Sequence, residues 1–193
     1  MLPASSIRIS RARNAKMEVS TSESRQRNHG VMSDFSEPVV RRLVEFVRAC
    51  GMKVEASNLP GGTLLPGLDI ACGVLSIDET RLLYPGDILH EAGHIAVTSP
   101  DVRGGSTFSS TPGEEMAAIA WSYAAALALG MPPEIVFHPA GYKGGAAAIL
   151  ENFEAGRYIG VPLMQCWGMS VEPRDAQTRG VAPFPHMLQW LRG

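Results

Sequence analysis

His90-Glu91-Ala92-Gly93-His94 is the stretch of this 193-residue chain whose residue types and spacing point most directly to chemistry. On an α-helix of about 3.6 residues per turn, positions i and i+4 stack on one face, so both imidazoles can address one ion. Glu91 stands about 100° round the helix from His90, where a carboxylate reaches a metal-bound water without ligating the metal itself. A zinc ion with three protein ligands keeps a fourth position for that water and lowers its pKa to about 7. Glu91 is then the candidate general base, taking the proton and passing it to the leaving group. Ile88, Leu89, Ile95 and Val97 make the flanks apolar, while Ala92 and Gly93 are small enough for close approach. A packing role for two histidines and a glutamate on one helix is the weaker reading, because buried polar groups cost free energy unless paired.

Two histidines need a third ligand. Thr111-Pro112-Gly113-Glu114-Glu115 opens a second predicted helix, running to about Leu129 and stopped by Gly130. Thr111 at the N-cap with Glu114 three residues on is a capping box, and Pro112 suits the first turn. Glu114 and Glu115 lie twenty and twenty-one residues after His94. If Glu114 folds back onto its own helix end, Glu115 is the free carboxylate, and it shares a face with the small Ala118 and Ser122. Glu115 is therefore the preferred ligand and Glu114 the alternative, with Asp101 behind them. The plainer reading makes both glutamates ordinary first-turn acids favoured by the helix dipole.

A further concentration of useful groups is His138-Pro139-Ala140-Gly141-Tyr142-Lys143-Gly144-Gly145. His138 or Tyr142 is a candidate hydrogen-bond donor to a tetrahedral oxyanion or to substrate. Lys143 could hold an acidic group or a terminal carboxylate. The competing reading is a surface turn with solvated side chains.

The elements that must position these residues are legible in outline. Ser36 as N-cap and Pro38 in the first turn start a helix with Val39, Leu43, Phe46 and Val47 inward, ended by Gly51. Met52–Ala56 alternates as a short strand, and Gly73–Ile77 reads as another just ahead of the helix that begins at Pro85-Gly86-Asp87. The metal helix stops near Pro100, and 101–112, rich in Gly, Ser and Thr, reads as an exposed loop. Ala146–Phe153 reads as helix, Gly156–Met164 as strand or extended chain, and the Leu163–Met169 stretch and amphipathic tail close the fold or form a contact between copies. His186 reads as a surface histidine.

Residues 1–31 carry six Arg or Lys against two Glu, while the other 162 carry eleven basic and seventeen acidic residues. That extension is expected to be disordered or loosely attached, with 32–193 a single domain. Its Arg- and Ser-rich character resembles a transit peptide, although an extended translation start, with Met17 or Met32 the usual beginning, is the simpler account. Net charge is −2, with no basic stripe to suggest nucleic acid and no apolar run long enough for a membrane span. Cys50, Cys72 and Cys166 form no C-x-x-C pair and read as reduced, buried thiols of a cytoplasmic protein.

The succession of helix, strand, His90-Glu91-Ala92-Gly93-His94 helix and Glu-led helix, over roughly residues 36–133, resembles the ImmA/IrrE-type zinc metallopeptidases. Those proteins follow H-E-x-x-H with a Glu-x-x-Ala-Asn-x-Phe-Ala helix. Glu115-Met116-Ala117-Ala118-Ile119-Ala120-Trp121-Ser122 matches at the Glu, the Ala and the aromatic, and differs at Ile119 and Ser122. The resemblance implies a compact zincin-like fold and cleavage of a protein regulator. Membrane-anchored ATP-dependent proteases also use His-Glu-Ala-Gly-His, but the chain has no Gly-Lys-Ser/Thr phosphate loop. The expectation is thus an α+β domain, mostly helical with a small sheet beside the metal helix. It would act as a zinc-dependent hydrolase on a peptide or protein substrate, with cobalt or manganese able to substitute. The alternative is a zincin-fold protein without catalysis that binds a partner or small ligand, with zinc as structural or sensing ion.

Overall fold

A computed structural model describes residues 34–105 and 109–193. The expectations for 1–31, and residues 106–108 of the predicted loop, lie outside the described residues. The fold is α+β. In chain order the elements are α1 (Pro38–Ala49), β1 (Lys53–Ala56), β2 (Leu68–Ala71), β3 (Val74–Ile77), α2 (Asp87–Val97), α3 (Pro100–Arg103), α4 (Pro112–Ala128), α5 (Ala146–Glu154), α6 (Val161–Cys166) and α7 (Pro173–Arg179). Single 3-10 turns lie at Pro133–Ile135 and Tyr142–Gly144.

The strands form one sheet in the order β1-β3-β2. β1 runs parallel to β3, with Val54 opposite Leu75. β2 runs antiparallel to it, with Ala71 opposite Val74. β2 has a free edge among the described residues. The sequence reading missed β2 because its hairpin turn is disguised. Cys72 and Gly73 both take positive φ (51° and 71°), as a two-residue primed turn requires, but cysteine replaces the usual asparagine or aspartate.

Val40, Leu43, Val44 and Val47 of α1 pack with Leu75 and Ile77 of β3 and with Ile88, Leu89 and Ile95 of α2 in one core. Trp121 of α4 is fully buried in it. The α2–α4 seam decides the geometry of the site. On α4 it contains Ala118, within a helix whose Ala117, Ala118, Ala120 and Ala124 are all buried. On α2 it contains Gly93, where a Cβ would stand 2.8 Å from the Ala118 carbonyl oxygen. Only glycine lets the backbones approach so closely. Gly93→Ala is expected to force the helices apart and to destabilise the fold by about 1–3 kcal/mol, as overpacking typically does. Urea unfolding with an unchanged m-value checks this. Gly86, at the start of α2, is equally confined, with the Ile135 carbonyl oxygen 1.9 Å from where its Cβ would be.

Both helices end as anticipated in kind. Gly51 (φ 91°) and Gly130 (φ 63°) follow α1 and α4 in the left-handed conformation. Met52 and Met131 then donate back to Val47 and Ala126 in Schellman closures. The tail ties α2 to α4: Trp121 Nε1 donates to Trp190 O (2.9 Å), and Arg192 N and Nη1 donate to Ala96 O (2.9 Å) and Val97 O (3.1 Å). The same guanidinium lies 3.8 Å from Glu114 and over the Trp167 ring.

Several expectations are corrected. Val161–Cys166 is helical rather than extended, with Pro162 in its first turn. Pro100–Arg103 is a helical turn inside the predicted loop. Glu37, not Ser36, occupies the N-cap of α1, because the Ser36 N–H and hydroxyl both donate to Glu79 (2.9 and 2.8 Å). Cys72 and Cys166 are exposed, and only Cys50 is half-buried. His186 is exposed. No helix among the described residues is long and apolar enough to cross a membrane.

Candidate metal centre

α2 presents His90, Glu91 and His94 to a cleft of about 490 Å³. The three side chains have potential ligand atoms within 4.8 Å of one another and could hold a metal ion. His90 Nε2 lies 3.2 Å from His94 Nε2. From α4, Glu115 brings Oε1 to 3.5 Å from His90 Nε2 and Oε2 to 3.3 Å from His94 Nε2. These separations test the donor set. Two atoms each about 2.0–2.1 Å from a tetrahedral zinc ion lie about 3.3–3.4 Å apart. The three observed separations lie near that value, with Glu115 turning a different oxygen to each ring, so the two imidazoles and the Glu115 carboxylate are spaced as donors to one small metal ion.

Glu114 is turned elsewhere. Its Oε2 accepts from Thr111 N (3.0 Å) and Thr111 Oγ1 (2.8 Å), while Glu114 N donates to Thr111 Oγ1 (3.2 Å). This closes the capping box at the start of α4. Asp101 is exposed on α3.

Burial dominates the electrostatics. Desolvation, with help from His94, pushes His90 down to about 3, and burial pushes His94 down to about 4. Both rings are therefore neutral at pH 7, with the lone pairs a metal needs. Desolvation raises Glu91 to about 7, assisted by the negative charges of Asp87, Glu115 and Asp69. A carboxylate so poised can both accept and release a proton near neutrality.

These shifts have opposite consequences for the metal-free protein. The unfolded chain binds two histidine protons that the folded chain refuses, so their contribution is fully present above about pH 6.5 and is lost as pH falls through about 4. Glu91 is protonated in the fold but ionised in the unfolded chain, so its contribution is present below about pH 4.5 and lost as pH rises through about 7. Between pH 5 and 6 the net is about one proton, or about 1.4 kcal/mol of added stability per pH unit. Glu91→Gln should raise this slope to about two protons per unit, measured by denaturant titration of chelator-treated protein. An unchanged slope would mean that Glu91 titrates normally.

A second layer holds the rings. Tyr142 Oη lies 3.1 Å from His90 Nδ1 and also hydrogen-bonds Ser122 on α4. Burial pushes the phenol up, so it stays protonated. With Nδ1–H donating to Tyr142, His90 keeps its Nε2 lone pair for the cluster. His138 is not aimed at the cluster. Its Nε2 lies 3.0 Å from Asp87 Oδ1, and its ring stacks on Tyr84 at 3.7 Å between centroids. Burial raises the Asp87 carboxyl and the His138 contact opposes it. His138 therefore pins the 138–145 loop to the first turn of α2, and Tyr142 carries that loop to His90. Asp87 and Arg192 were not singled out in the sequence, and Ser122 was noted only for its small size and for its departure from the family motif. Asp87 carried one signal, an acid in the first turn of the helix on the same side as His90, three residues on.

No family model, curated protein or solved structure matches this chain.

Proposed function

We propose that this protein is a zinc-dependent hydrolase, and specifically a metallopeptidase related in plan to the ImmA/IrrE type. The observation that carries this reading is the cluster of His90, Glu91 and His94, whose potential ligand atoms lie within 4.8 Å of one another, with the Glu115 carboxylate 3.3–3.5 Å from both rings. Bound zinc would supply a Lewis acid for the scissile carbonyl and acidify water in its open position. His90 and His94 would hold the ion as neutral rings and Glu115 would offset its charge, while Tyr142, 3.1 Å from His90 Nδ1, orients that ring. Glu91 accepts the proton of the attacking water and delivers it to the departing amine. The free edge of β2 favours a peptide. An extended chain could pair with that edge by main-chain hydrogen bonds, and Asp69 on the strand is near enough to Glu91 to raise its carboxyl. The cleft carries three carboxylates, Asp87, Glu91 and Glu115, and a structural zinc site has no need of a base beside it. A cytoplasmic location and zinc as the physiological metal belong to the same proposal.

The test is elemental analysis of purified protein together with cleavage of a quenched fluorescent peptide library. About one zinc per chain, and cleavage abolished by a chelator and restored by zinc, is the expected result. Failure to take up any divalent metal after reconstitution would remove the reading.

A further inference from the structure

The cleft has a composition that a hydrolytic centre alone does not require. Besides the metal-cluster residues it is lined by Leu64, Leu65, Pro66, Leu83 and Tyr84. Leu64 is 97% exposed and Leu83 66% exposed. Single exposed leucines are ordinary, but these line one cleft, where a ligand's apolar side chain would cover them. The same lining includes Lys143, which is exposed and is the only lysine or arginine among the described residues lining the cleft.

The backbone that carries Lys143 is unusual. Cys72, Tyr142 and Lys143 are the described non-glycine residues with positive φ, and the last two are consecutive at 52° and 54°. Left-handed backbone is unfavourable for side chains with a Cβ, and such residues cluster where geometry serves a site. Here the turn is closed by Gly144 N donating to Gly141 O (3.0 Å) and Gly145 N donating to Tyr142 O (2.9 Å). It is anchored at one end by His138 on Asp87 and in the middle by Tyr142 on His90. Tyr142 explains its own conformation by its contact with His90. Lys143 makes no such contact, and a glycine would suit its position better unless the ammonium is used.

We propose that Lys143 and the Leu64–Leu83–Tyr84 lining form a specificity site, which selects a peptide bearing a carboxylate near the reacting bond, beside a large aliphatic side chain. This rests on the metallopeptidase reading. The carboxylate is either the chain terminus or an Asp or Glu side chain. The pairing is complementary: of the three carboxylates of the cleft, Asp87 contacts His138 and Glu115 lies against His90 and His94, and Lys143 is the cation available to receive a negative charge from the ligand.

Three probes decide it, each with a thiol to engage the metal: mercaptoacetyl-Leu-Ala as the free acid, the same compound as its C-terminal amide, and mercaptoacetyl-Leu-Asp amide. Binding is measured by calorimetry on the zinc-loaded full chain. The free acid or the Asp compound should bind at least about tenfold more tightly than the Leu-Ala amide, the size of a charge-assisted contact, and which one does so identifies the carboxylate's source. Lys143→Gly should reduce that ratio to below about twofold and Lys143→Arg should keep most of it. Replacing the probe's Leu by Gly should weaken binding by about tenfold or more. Because the position is left-handed, Lys143→Gly should melt no lower than wild type, so a lost ratio cannot be put down to unfolding. Equal binding of acid and amide by wild type, or a preference that survives Lys143→Gly, overturns the proposal while zinc-dependent amide binding leaves the metal centre standing. If no probe binds zinc-loaded protein, or no zinc is taken up, both fall.

Discussion

Glu91→Gln is expected to lower kcat/KM for any cleaved peptide by about 10²–10⁴, the usual contribution of a positioned general base, while zinc content stays at about one per chain. The substitution is isosteric and keeps an acceptor oxygen, so the packing against Asp87 and the ligand geometry should survive. What disappears is the capacity to take a proton. Because the buried carboxylate is raised to about 7 by desolvation and its acidic neighbours, its removal should also stabilise the metal-free protein above pH 7, where the charge is most costly. Activity and stability therefore move in opposite directions, a signature that a damaged fold cannot imitate. An active Glu91→Gln enzyme would move the base elsewhere. A variant that loses zinc would show that Glu91 is a ligand.

The second large effect separates two adjacent carboxylates. Glu115→Ala should weaken zinc binding by about 10²–10³, since the ligands of structural zinc sites together supply about 10–16 kcal/mol and one of four carries roughly a quarter of that. Its effect on metal-free stability should be small, because the Glu115 side chain is 43% exposed and is raised by burial rather than held by a partner cation. Glu114→Ala should do the reverse. It removes half of the capping box, at a cost of about 1 kcal/mol and a fall in Tm of about 2–4 °C, with zinc retained. Competition titration with a chromophoric chelator and thermal melts on both variants give the two readouts. Zinc lost with Glu114→Ala and kept with Glu115→Ala would exchange their roles.

What could be read in the sequence was what is local. The capping box at Thr111, the i, i+4 spacing of His90 and His94, and the glycine stops at Gly51 and Gly130 each follow from backbone rules spanning a few residues. What could not be read depends on the fold. Gly156–Met164 has the β-branched and aromatic composition of a strand, yet Gly160 turns left-handed against the Met116 carbonyl and the chain becomes α6. β2 was hidden behind a cysteine in a turn that normally announces itself with asparagine. Within the site, the sequence could nominate His138 and Tyr142 as useful groups but not their partners, because Asp87 lies 51 residues from His138 and His90 lies 52 from Tyr142. The cysteines were misjudged on composition: Cys166 adjoins the half-buried Trp167, but its own position on α6 points outward.

The alanine and glycine seam between α2 and α4 has one more consequence. The two histidines ride on one helix and the glutamate on the other, so the width of the seam sets the size of the hole between them. With a metal bound as proposed, the methyl groups would act as spacers that gauge ionic radius, and Gly93 and Ala118 at their close approach would favour a small ion with bonds of about 2.0–2.1 Å. A spacer one carbon thicker would enlarge it toward cations that prefer longer bonds, such as manganese or calcium. Metal preference in this protein would then be encoded in residues that never touch the metal.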